Sequence, residues 1–204
     1  MKDYNLIPMG DNCIIAETLG HLGLRKCSYP FDWISHVNYF TATNISYNFE
    51  TVDKLMKGTF RLEEFLGDAL TEKHKTYKNM WFPHDDENSF EKYQRRFARL
   101  REDISSKKNI FLFLTRHYVM KEAAFDKIVA QVLSYHPENK IVFIFGSPHV
   151  YLQKDKYKKC VAYQHLEYDV SKLNKEMEYD YKYYRPTVKN YLATLFARIG
   201  YTIT

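Results

Sequence analysis

Cysteine is scarce in this sequence: Cys13, Cys27 and Cys160 are the three in 204 residues. Three cannot all pair, no two form a C-x-x-C, and none stands at zinc-finger spacing from a histidine. A disulfide scaffold is excluded and a reduced, intracellular setting is expected. Glycine (7) and proline (6) are too few to mark a linker or a collagen-like repeat. No apolar run approaches the roughly 20 residues of a membrane span. The opening Met1-Lys2-Asp3-Tyr4-Asn5 has no apolar signal core, so a soluble, cytoplasmic protein without membrane contact is expected. The motifs G-x-x-x-x-G-K-S/T, G-x-G-x-x-G and H-E-x-x-H are missing as well. ATPase, dinucleotide and zinc-peptidase readings therefore lack local support, and neither cofactor nor metal is expected.

Rings, by contrast, are in excess: 18 Tyr, 14 Phe and 2 Trp. Lys+Arg 30 against Asp+Glu 25 gives a net charge of +5. After residue 150 stand ten of the tyrosines and ten Lys/Arg against six Asp/Glu, so +4 of the +5 lies there. This Tyr/Lys-rich C-terminal region suits a protein contact, while its charge is too modest for a nucleic-acid partner. At roughly 100–200 residues per domain, one domain over 1–204 is expected, large enough to bury a core unaided.

Run length and period give the elements. Asn5 to Met9 is a short apolar strand, Gly10-Asp11-Asn12 a tight turn, and the spacing from Cys13 is helical until about Leu22. Residues 25 to 36 read as a loop, followed by helical pieces around 37–44, 51–57 and 61–66. Ser89 is a candidate cap for a helix from Phe90 to about Ser105, with Lys92, Arg95, Arg96 and Arg99 on its polar stripe. Asn109–Leu114 and Lys140–Phe145 are apolar throughout and flank a helix from about Lys121 to Tyr135. A strand at Lys159–His165 and a helix at Pro186–Ile199 follow. Unbroken apolar strands alternating with amphipathic helices predict a three-layer α/β sandwich with a mainly parallel central sheet. Ligands then bind beyond the carboxyl ends of the strands, at the switch in strand order. That draws attention to residues 10–13, 115–118 and 146–149.

Cys13 falls at the first strand-to-helix turn. The N–H groups and positive dipole end of a helix N-terminus favour a thiolate, and those N–H groups suit an oxyanion. The competing reading is a small buried hydrophobe. His84, behind Trp81-Phe82-Pro83, is the better base; His117 and His149 follow strand ends and stand in reserve. His84-Asp85-Asp86-Glu87 also reads as a solvated turn before a helix. In Pro30-Phe31-Asp32-Trp33 the rings anchor a loop and Asp32 caps a helix, pairs with Arg25, or faces the cleft. Arg95, Arg96 and Arg99 suit phosphate through their guanidinium forks, or form a solvated face.

The segments Met9-Gly10-Asp11-Asn12-Cys13-Ile14-Ile15-Ala16, Leu22-Gly23-Leu24-Arg25 and Ser28-Tyr29-Pro30-Phe31-Asp32-Trp33-Ile34 carry a resemblance. So does Phe82-Pro83-His84-Asp85, and it continues through the Tyr93–Leu100 helix to Arg116. Together they resemble the DUF1796 family of viral and bacterial proteins, described as papain-like cysteine peptidases. The resemblance implies Cys13 as nucleophile and His84 as base, with Asp85 or Asp32 orienting the imidazole. Papain-like enzymes carry that histidine on an antiparallel subdomain, whereas the strands here read as parallel. The Gly10-Asp11-Asn12 turn is also similar to the Gly-Asp-Ser opening of SGNH-type hydrolases, with Asn12 where their serine stands.

Two functions follow. One is a thiol hydrolase or acyltransferase acting on a peptide, acyl or glycan substrate, with Gly10, Asp11, Asn12, Trp33, Arg96, Arg116 and His117 about the substrate. The other is a metal-independent glycosyltransferase or sugar/nucleotide-binding protein in which Cys13 is structural.

Overall fold

In the computed structural model, residues 4–10, 13–36, 43–67, 80–82, 85, 87–115, 119–166 and 185–198 are described. In chain order the elements are β1 (Tyr4–Pro8), α1 (Ile14–His21), β2 (Ser35–His36), α2 (Thr43–Met56), α3 (Leu62–Leu66), β3 (Met80–Trp81), α4 (Phe90–Ser106), β4 (Lys108–Thr115), α5 (Glu122–Tyr135), β5 (Lys140–Phe145), β6 (Val161–His165) and α6 (Arg185–Arg198). Short 3-10 turns lie at Glu87–Ser89, Val150–Gln153 and Asp155–Tyr157.

The apolar strands form one parallel sheet in the order β1-β4-β5-β6. Every residue of β4 from Asn109 to Thr115 is buried, because helices cover both faces. Alternation along the strands sorts the side chains by shape. Phe111, Phe113, Phe143 and Phe145 meet α2, α4 and α5, whereas Ile110, Leu112, Leu114, Val142 and Ile144 meet α1 and α6. Much of the ring excess is therefore core: Phe113 and Phe143 lie 4.5 Å apart, and Phe125 stacks on Phe143 at 5.4 Å.

Pro8 fits β1 because of its position. Met9 N–H bonds Leu112 O at 2.8 Å, so alternate residues face β4 and Pro8 takes a place whose N–H would point away from the ladder. No ladder bond is lost.

Several expectations change. The described strands follow chain order without reversal, so no switch point lies among them. The chain instead changes faces within one connection, leaving β1 through α1 and returning to β4 through α2 and α4. The helical pieces expected around 37–44 and 51–57 belong, within the described residues, to one helix over Thr43–Met56, whose buried stripe, Ile45, Asn48, Phe49, Val52 and Leu55, includes a polar member; residues 37–42 lie outside the described residues. Ser89 does not cap α4 through its side chain, since a 3-10 turn feeds helical backbone straight into the helix. Inside the expected loop, Ser35 and His36 pair antiparallel with Trp81 and Met80. Between β5 and β6 no helix forms among the described residues; Tyr151, Leu152 and Tyr157 of the 3-10 turns fill the core there.

Candidate functional site

Gly10 closes β1 with φ +79, and a Cβ at this position would come within 3.0 Å of Asn48 Nδ2 and 3.5 Å of Phe31 O. Only glycine accepts both the left-handed backbone and the close approach. Asn48, fully buried, donates to Met9 O at 2.7 Å and ties the turn to α2. Cys13 follows at the N-cap position of α1, 8% exposed, its carbonyl accepting Glu17 N–H at 2.9 Å. Asp11 and Asn12 lie outside the described residues.

Asp32 is fully buried beneath the same turn, adjacent in sequence to the Phe31 that Gly10 meets. Its Oδ2 accepts from Arg25 Nη2 at 2.8 Å and from Tyr29 N–H at 3.1 Å, while Oδ1 has no hydrogen-bond partner. Loss of water outweighs the Arg25 charge and pushes the Asp32 carboxyl up to about 6. The Arg25 guanidinium in turn lies 4.7 Å over the Trp33 ring, and Phe31 packs edge-on against Phe65 and Phe97. Asp32 thus pairs with Arg25 within an aromatic anchor.

Asp85 is no solvated turn residue. Its carboxylate is buried, takes a 2.7 Å hydrogen bond from Tyr93 OH, and is ion-paired with Lys92 and, at 4.0 Å, with Arg96. Arg96 likewise leaves the expected solvated stripe, because α4 turns it inward over the Tyr93 ring at 5.1 Å. Burial raises the Tyr93 hydroxyl above its ordinary value. Phe82 meets Tyr93 edge-on at 5.4 Å, and Asp85 N–H bonds Phe82 O at 3.3 Å. The flanks of the His84 segment are therefore fastened to Tyr93 and Arg96, the two groups that also sense Asp32 electrostatically. Pro83, His84, Arg116 and His117 lie outside the described residues.

His149 loses its role as reserve base. Nδ1 bonds Ser147 O at 2.6 Å and Nε2 accepts Met120 N–H at 2.9 Å, so both ring nitrogens are committed to backbone. Burial pushes its imidazole below the usual value. Cys160 is packed and donates to Tyr157 O at 3.8 Å; Cys27 is half-buried. Among the described residues no three His, Cys, Asp or Glu come together as a metal site, and no helix is long and apolar enough to cross a membrane. Sequence reasoning missed Asn48 and Tyr93. A lone asparagine on the apolar stripe of α2 was the available signal for Asn48, whereas nothing in the sequence sets Tyr93 apart from other core rings.

The family model described as Putative papain-like cysteine peptidase (DUF1796) matches residues 4–144. The chain belongs to the DUF1796 family. No curated protein and no solved structure matches it. The DUF1796 match spans Cys13, Asp32, His84 and Asp85 and leaves β6 and α6 outside.

Proposed function

We propose that this protein is a thiol-dependent hydrolase or acyltransferase. Cys13 Sγ attacks a substrate carbonyl and His84 takes the thiol proton. The N–H groups of the first turn of α1 stabilise the oxyanion, and His84 returns the proton to the leaving group. Water or a second acceptor then releases the acyl group from sulfur. One observation carries the reading: in a DUF1796 chain, Cys13 opens α1 at the end of β1, behind a Gly10 turn packed onto the Phe31-Asp32 backbone. Asp32 suits the orienting role better than Asp85, because among the described residues Asp32 has one ion-pair partner, Arg25, while Tyr93, Lys92 and Arg96 surround Asp85. The β2–β3 pairing supports this choice, since Asp32 precedes Ser35 by three residues and His84 follows Trp81 by three. It also supplies the antiparallel element that the parallel sheet lacks.

Iodoacetamide labelling followed by mass spectrometry tests the proposal. Cys27 is the more exposed thiol, so accessibility alone would label it before Cys13. A reactive thiolate reverses that order, with a labelling midpoint below the ~8.5 of a free thiol. Cys13 labelling no faster than Cys27 and Cys160 would overturn the reading. The 8% exposure of Cys13 favours the second reading, a metal-independent glycosyltransferase or sugar/nucleotide-binding protein with a structural Cys13. It predicts that Cys13→Ser preserves ligand-induced thermal shifts while Asp32→Ala and His84→Ala remove them.

A further inference from the structure

A cavity of about 280 Å³ lies between β1, the 24–29 loop and the C-terminal half of α4. Cys13 is not on its wall. Two guanidinium groups are pinned there on a single residue: Arg25 Nη2 donates to Ser28 Oγ at 2.7 Å and Arg99 Nη1 donates to Ser28 O at 2.7 Å. Two cations held on one residue repel each other unless an anion offsets their charge. Arg25 has one counter-ion, Asp32 Oδ2, and its Nε is buried without a hydrogen-bond partner. Arg99 makes no ion pair among the described residues.

The other charges on the wall leave this excess standing. Asp103 is consumed by Lys107 at 2.8 Å and by Tyr29 OH at 2.6 Å. Lys26 adds a further cation and Glu102 the one remaining carboxylate. Leu6, Leu19 and Leu24 complete an apolar wall. We propose that this cavity is a binding site for a small phosphomonoester, its phosphate held by Arg25 and Arg99 and its carbon body on the leucines. Phosphate suits the pair better than carboxylate, because three oxygens and up to two charges match two planar forks. The site is independent of the Cys13 chemistry, although Arg25 joins it to Asp32.

Glycerol 3-phosphate and acetate, titrated into the full chain by calorimetry, provide the test. Glycerol 3-phosphate binds once per chain and acetate more weakly. Cys27, on the cavity wall, reports occupancy: at about tenfold above Kd its alkylation by iodoacetamide slows about tenfold. Arg99→Met and the exposed Lys26→Glu each weaken binding, and Lys26→Glu covers the case in which Arg99→Met unsettles the 24–29 loop. The proposal is overturned by absence of saturable binding, by acetate binding as tightly, by unchanged Cys27 labelling at saturation, or by Lys26→Glu binding as wild type does.

Discussion

At Gly10, backbone conformation and packing act together. Gly10→Ala forces a Cβ against Asn48 at φ +79, and a loss of about 2 kcal/mol in urea unfolding is expected. Asp32 and His149 give opposite pH dependences. The Asp32 carboxyl titrates higher in the folded chain than in the unfolded one, so its contribution is fully present below about pH 4 and is lost as pH rises through about 6. Asp32→Asn removes that loss: its stability relative to wild type should rise across pH 4–7, by about 2 kcal/mol. His149 titrates lower when folded, so its contribution is present above about pH 6.5 and is lost as pH falls below it. His149→Gln should flatten that acid limb in pH-dependent denaturation. Sequence showed these residues as candidates. Whether Asp32 lay in water or His149 had spent both nitrogens depended on Arg25, Ser147 and Met120, which no local pattern selects.

Among the elements, α4 shows best how a stripe misleads. Arg95 and Arg96 are neighbours in a run of polar residues, yet Arg95 is exposed with only a long pair to Glu91, whereas Arg96 is buried between Asp85 and Tyr93. Arg95→Ala should change stability by less than about 0.5 kcal/mol. Arg96→Ala, which strips Asp85 of a buried partner, should cost about 2–3 kcal/mol in the same denaturation experiment. The helices α1 and α5 were legible by their period and the strands β4 and β5 by their unbroken apolar runs. The helix α2 was not, since Asn48 interrupts its apolar stripe to serve the Met9 carbonyl. The two-residue strands β2 and β3 have no period to read, and their pairing across more than forty intervening positions is a tertiary contact.

For the whole molecule, the family match and the fold have different boundaries. Residues 4–144 contain β1, β4 and nearly all of β5, but Val188, Leu192, Leu195 and Phe196 of α6 cover the aliphatic face of the sheet. A chain ending at Leu166 would expose Leu112, Val142 and Ile144 along with α1. It is expected to bind a hydrophobic dye and lose cooperative unfolding in calorimetry, and a cooperative transition like that of the full chain would show that α6 is dispensable. The Tyr/Lys-rich region also divides. Tyr151 and Tyr157 are core residues, and Lys154 and Lys156 pair with Glu122 and Asp126 of α5, so that part of its charge is spent within the fold. By itself the sequence determined the α/β class and the opening of α1 by Cys13, because hydrophobic period and turn chemistry are local. Only the tertiary structure decided that Asp32 and Asp85 are buried, that Arg96 turns inward, and that Arg25 and Arg99 share Ser28. Burial and charge pairing are set by residues brought together from distant parts of the chain.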